Sequence, residues 1–126
     1  MNILVIEDDY NTLNGLIDLL HLEGHRVLGT GTAQNALDML KRNSFDLILC
    51  DFRLPDTNGL SLCNQIHKQF CNVTLFMFTA YCNMQHREQA KNCGISRLFH
   101  KPLDLDELFN ALAAIPVASN RSSMLN

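Results

Sequence analysis

Two short stretches of this chain, NILVI at residues 2–6 and DLILC at residues 46–50, are apolar or nearly so, and each runs directly into carboxylates. The first is followed by Glu7, Asp8 and Asp9, the second by Asp51. A strand that is apolar on both faces belongs inside a parallel sheet covered by helices on either side. In such sheets, ligands gather just beyond the carboxyl ends of the strands. The two acidic ends therefore mark a candidate site.

The remaining hydrophobic pattern repeats the same unit. HRVLG (25–29), VTLFMF (73–78) and ISRLFH (95–100) read as further strands, the first of them weaker. Between the strands, apolar residues recur at helical spacing. Leu13, Leu16, Ile17 and Leu20 do so up to Gly24, and Ala33, Ala36, Leu37 and Leu40 form a second face. Leu62, Cys63, Ile66 and Phe70 follow Gly59, and Leu105, Leu108, Phe109 and Leu112 follow Pro102. Five strand–helix rounds predict an α/β fold around a parallel sheet. The fourth helical segment, 81–93, offers Tyr81, Cys82, Met84, Ala90 and Cys93 but no Leu, Ile or Val. Helices are held mainly by their packed apolar face, so this one should be among the less stable elements. The 126 residues suit one domain. We assign it to residues 1–116 and read 117–126, small and polar, as a flexible tail or the start of a linker.

Composition excludes several roles. A net charge of −3 leaves no footprint for nucleic acid or an acidic membrane. The apolar runs fall far short of the ~20 residues that span a bilayer, and the N-terminus lacks a basic targeting region. The expected location is cytoplasmic, with no nucleic-acid or membrane partner. Cys50, Cys63, Cys71, Cys82 and Cys93 are scattered, with no C-x-x-C pair; most are expected as small core residues, and no structural disulfide is expected. GTGT (29–32) lacks the ending of a phosphate loop and reads as a turn. His21, His25, His67, His86 and His100 show no ligand spacing; only His100, beside Lys101, stands where it could touch the site.

If the first and third strands are neighbours, Glu7, Asp8 and Asp51 crowd together. Two carboxylates about 4 Å apart repel by about 4 kcal/mol at an effective dielectric near 20, so such a group either takes up protons or captures a cation. An all-oxygen site favours a hard ion such as Mg²⁺. The plainer alternative is that the acids cap the first helix, and for Asp9 that reading is preferred. Thr79 follows the fourth strand and Lys101 the fifth, adding a hydroxyl and a positive charge at the same sheet edge.

With ILVIEDD, DFRLPDTNGL, FTA and HKP in this order and spacing, the chain resembles the receiver domain of two-component response regulators over roughly residues 2–115. The resemblance implies a flavodoxin-like (βα)5 three-layer sandwich with a central five-stranded parallel sheet in the order 2-1-3-4-5. It also implies a phosphorylation-dependent switch. Asp51 would take a phosphoryl group from a histidine kinase or phosphotransfer protein, as in a phosphorelay. Mg²⁺, with Mn²⁺ as a substitute, would sit on Glu7, Asp8, Asp51 and the backbone carbonyl of Arg53. Lys101 would pair with the phosphoryl group, Thr79 would hydrogen-bond it, and the Lys101–Pro102 bond would be cis. A downstream protein or fused output domain would read the altered surface. The chain would then be no conventional enzyme, only a catalyst of its own phosphorylation and dephosphorylation. Many relatives carry a switch aromatic three residues before the lysine; here Leu98 stands there and Phe99 one place later. Either Leu98 packs without that signal, or Phe99 and Tyr81 take part in another arrangement. Two alternatives have less support. A phosphatase of the haloacid-dehalogenase type needs a second Asp where Arg53 stands, and a pseudo-receiver usually lacks an acid, the nucleophile or the lysine, all present here.

Overall fold

The computed structural model describes residues 1–80 and 84–116. Five strands, β1 (Asn2–Ile6), β2 (Arg26–Thr30), β3 (Leu47–Asp51), β4 (Thr74–Thr79) and β5 (Ile95–His100), alternate with five helices. The helices are α1 (Tyr10–Leu22), α2 (Ala33–Arg42), α3 (Gly59–Gln69), α4 (Met84–Asn92) and α5 (Leu105–Ala113). The strands form one parallel sheet in the order β2-β1-β3-β4-β5, the doubly wound architecture that the resemblance implies.

Alternation along each strand divides the core in two. Leu4, Ile6, Ile48, Cys50, Leu75 and Met77 face the layer that holds Ala36, Leu40, Leu62, Ile66 and Ala90 of α2, α3 and α4. Ile3, Val5, Leu47, Leu49, Phe76 and Phe78 face Leu16 and Leu20 of α1 and Leu108 and Leu112 of α5. Each fully buried aliphatic or aromatic side chain contributes about 1.5–3 kcal/mol, so the three middle strands are the firmest part of the molecule. Leu98 and Phe99 fall on opposite sides of this division. Leu98 packs with the α2–α3–α4 layer, whereas Phe99 is buried against Phe76 on the α1–α5 side, ring centroids 5.4 Å apart. Tyr81 and Cys82 lie outside the described residues, as does the segment 117–126.

Three strands run one residue further than the apolar runs predict, so that β2, β3 and β4 end on Thr30, Asp51 and Thr79. The ladder is a backbone property: Asp51 pairs in register with Phe78, and Thr79 with His100, regardless of side-chain polarity. Polar residues thereby become part of the rigid sheet edge. Helix starts are fixed by side-chain caps. Asp9 accepts the Thr12 amide at 2.9 Å, Thr32 the Asn35 amide at 3.2 Å and Asn58 the Ser61 amide at 2.8 Å. Asp104 accepts from Asp106 and Glu107 at 3.0 and 3.2 Å. Each such cap is worth about 1 kcal/mol. Asp9 thus does what the capping reading assigns it. Gly24 ends α1 with a φ of 91°, a left-handed conformation that glycine adopts without a Cβ penalty. Helix α4 buries Ala90 alone, whereas α5 buries Leu108, Ala111 and Leu112. No helix among the described residues is long and apolar enough to cross a membrane.

Candidate functional site

Register alone brings the acids together. Ile6 of β1 is level with Cys50 of β3, so the next residues, Glu7 and Asp51, stand side by side at the sheet edge. The backbone of Glu7 is anchored by its amide to the Thr30 carbonyl at 3.0 Å. Both residues are buried, at 2% and 5% exposure, while Asp8 is exposed. One oxygen from each of Glu7, Asp8 and Asp51 lies within 4.8 Å of the others.

Lys101, just past β5, supplies the balancing charge. Its amide donates to the Thr79 carbonyl at 2.8 Å, which ties the end of β5 to the end of β4. Its Nζ lies 3.2 Å from Asp51 Oδ2 and 3.9 Å from Glu7 Oε2, and 5.1 Å from the centre of the Phe78 ring. A buried carboxylate with a hydrogen-bonded ammonium keeps its charge far more cheaply than an unpaired one. The peptide bond from Lys101 to Pro102 is cis. Thr79 is buried at the end of β4, and Asp51, Arg53, Thr79, Ala80 and Lys101 line a cavity of about 200 Å³. Larger clefts lie away from the acids: one of about 610 Å³ is beside Arg26 and Arg42 at the other end of the sheet, and one of about 590 Å³, which shares Lys101 with the site, runs between α1 and the start of α5. Neither contains the acids.

Glu7 is out of balance as it stands. Its Oε2 is buried and has no hydrogen-bond partner. Burial, a hydrogen bond with Asp51 and the Asp51 charge push its carboxyl up from the ordinary 4.5 to about 8, against the opposing pull of Lys101. A buried carboxylate oxygen without a hydrogen-bond partner, next to two further carboxylates, suits a divalent cation held by oxygen ligands, and the donor set fits Mg²⁺.

The turn after β3 holds Arg53 near Asp51, with the Arg53 amide 3.5 Å from Asp51 Oδ1. Gly59 packs directly under the Asp51 carbonyl, where any Cβ would collide. Farther along, Asp56 Oδ1 and Oδ2 accept the Ala33 and Gln34 amides, each at 3.0 Å, and these hydrogen bonds hold its carboxyl below the usual range. Sequence reasoning gave Asp56 no role, because its partners lie 23 and 22 positions away. Nor did it separate buried Glu7 from exposed Asp8, since both follow the same strand. On the sheet face behind the site, a hydrogen bond with Cys63, together with burial, pushes the Cys50 thiol well above the usual thiol range; it is an inert core group. Cys50, Cys63, Cys71 and Cys93 are free thiols.

The sequence matches the family described as Response regulator receiver domain over residues 3–113. It is 27% identical over 119 residues to sporulation initiation phosphotransferase F of Bacillus subtilis, with 94% of this chain and 96% of that protein covered. It is 31% identical over 108 residues to transcriptional regulatory protein ZraR of Klebsiella oxytoca. That alignment covers 86% of this chain but only 24% of the regulator. The chain thus spans nearly all of the first relative and about a quarter of the second. Among solved structures, the non-phosphorylated HemR receiver domain of Leptospira biflexa superposes with a TM-score of 0.83 at 31% identity, covering 90% of this chain and 92% of that one.

Proposed function

The chain belongs to the response regulator receiver domain family, and from that premise we propose that it is a phosphorylation-dependent switch with Asp51 as the acceptor. The observation that carries this reading is the contact of Lys101 Nζ with Asp51 at 3.2 Å, inside a cluster where Glu7, Asp8 and Asp51 offer converging oxygens. Glu7, Asp8, Asp51 and the Arg53 backbone carbonyl would hold Mg²⁺. The bound ion supplies positive charge that offsets the charge building up on phosphoryl oxygens during transfer.

The chain's own groups do the rest. An Asp51 carboxylate oxygen attacks the phosphorus of a phosphohistidine on a kinase or phosphotransfer protein. The P–N bond breaks, the imidazole leaves and takes a proton from water, and an acyl phosphate remains on Asp51. Little covalent work falls to the protein, so positioning and electrostatics dominate. Lys101 is the cation on the product side, its ammonium shifting from an Asp51 carboxylate oxygen to a phosphoryl oxygen. The Thr79 hydroxyl, at the cavity wall, donates to another phosphoryl oxygen and draws the following segment with it. Leu98 packs on the α4 side of the sheet and Phe99 in the other layer, so the two would answer such a movement from opposite faces. The altered surface is then read by a downstream protein or by an output domain in the same polypeptide.

The test is incubation with Mg²⁺ and acetyl phosphate, followed by intact mass. Wild type should gain one phosphoryl group and Asp51→Asn none. A wild type that takes up no phosphoryl group under several conditions would favour a phosphorylation-independent binding module.

A further inference from the structure

The turn between β3 and α3 is a small hairpin fastened by its own backbone. Gly59 donates to the Phe52 carbonyl at 2.6 Å, Leu54 donates to the Thr57 carbonyl at 3.2 Å, and Arg53 pairs with Asn58 in an antiparallel bridge. At its base the Phe52 amide donates to the Phe78 carbonyl of β4 at 3.1 Å, so the hairpin is held to the sheet at one end. Its tip reaches away from the site to the start of α2, where the Asp56 carboxylate accepts the first two amides of that helix at 3.0 Å each. The next two are already taken, Asn35 by the Thr32 side chain at 3.2 Å and Ala36 by the Thr32 carbonyl at 3.1 Å. Helix α2 therefore has an N-cap of its own. What Asp56 adds is a tether between the hairpin that carries Arg53 and the corner between β2 and α2. That corner itself borders the acids: a Cβ placed on Gly31 would stand 3.5 Å from the Asp8 Cα.

We infer that Asp56 is a positioning residue for the cation-binding half of the site: by clamping the 52–59 hairpin to the start of α2, it fixes Arg53 relative to Glu7, Asp8 and Asp51. The inference rests on the reading of these groups as a Mg²⁺ site. A side chain with both oxygens engaged by main-chain donors is well suited to this task, because its geometry is set at two points and the positive end of α2 favours its charge.

The experiment is a Mg²⁺ titration of the full chain as wild type, Asp56→Ala, Asp56→Asn and Thr32→Ala. Exchange of the Ala33 and Gln34 amides is followed in the same proteins without metal. Asp56→Ala should weaken Mg²⁺ binding about tenfold and deprotect both amides, Asp56→Asn, which keeps one acceptor, should recover much of the affinity, and Thr32→Ala, which loosens α2 alone, should stay within about twofold of wild type. An unaltered affinity in Asp56→Ala, or an equal loss in Thr32→Ala, overturns the positioning role and leaves the phosphoacceptor reading standing. A wild type that binds no Mg²⁺ overturns both.

Discussion

At Glu7 the fold holds a carboxyl in a place where it would rather be neutral, and this has a measurable cost. The folded protein retains the Glu7 proton up to about pH 8, whereas the unfolded chain releases it near 4.5. Without metal, the folded state therefore binds more protons over that interval, and stability falls as pH rises from about 4.5, with the loss complete above about 8. A tenfold difference in proton affinity between the two states corresponds to about 1.4 kcal/mol. Urea denaturation in the presence of a chelator should show wild-type stability dropping by a few kcal/mol across this window, and Glu7→Gln should flatten the drop. Parallel curves for the two proteins would mean that Glu7 is not the group responsible. The residues meeting at the site were largely legible in the sequence, because Glu7, Asp8, Asp51, Thr79 and Lys101 all follow apolar runs. Proton uptake somewhere among the acids was foreseeable, but that Glu7 is the member that holds the proton was not, since it depends on burial by neighbours from other strands. The hydrogen bonds of Asp56 were equally out of reach, because a tertiary cap leaves no local spacing to detect.

At the level of elements, helical spacing located the apolar faces of α1, α2 and α3, and the absence of branched aliphatics marked α4 as different. The structure gives the physical reason: α4 buries Ala90 alone, so its hydrogen bonds have little packing to protect them. Helix α5 buries Leu108, Ala111 and Leu112 and begins on the doubly bonded Asp104 cap. Amide exchange in α4 should be faster than in α5 by at least about tenfold, equivalent to a difference near 1.4 kcal/mol in local opening. Equal protection in the two would remove the argument that α4 is the compliant element of the switch. Strand ends were legible only to within a residue, because apolar runs report burial while the ladder continues through Asp51 and Thr79. The same rule explains Leu98 and Phe99. Adjacent strand residues face opposite layers, so one place in sequence moves a side chain from the α4 side to the α5 side of the sheet.

For the molecule as a whole, alternation of strands and helices was enough to identify a parallel α/β sheet. The strand order was not written in the residue patterns and came from the family resemblance. That order matters to the site, because it interleaves the chain: β1 lies between β2 and β3, and β5 closes the edge beside β4. A fragment ending at Asn92 would keep Glu7, Asp8, Asp51 and Thr79 but lose β5, Lys101 and α5. We expect it to show no cooperative urea transition by circular dichroism, whereas the full chain should unfold in one step. A sharp transition in the fragment would show that the first four strands stand alone.

Lys101 is separated from Asp51 by 50 positions, and it is the ammonium that sits between the two buried acids. During synthesis the carboxylates leave the ribosome long before their counter-charge exists, so a half-made chain has nothing to reconcile them. Their reconciliation waits until the fifth strand has been made and docks beside the fourth.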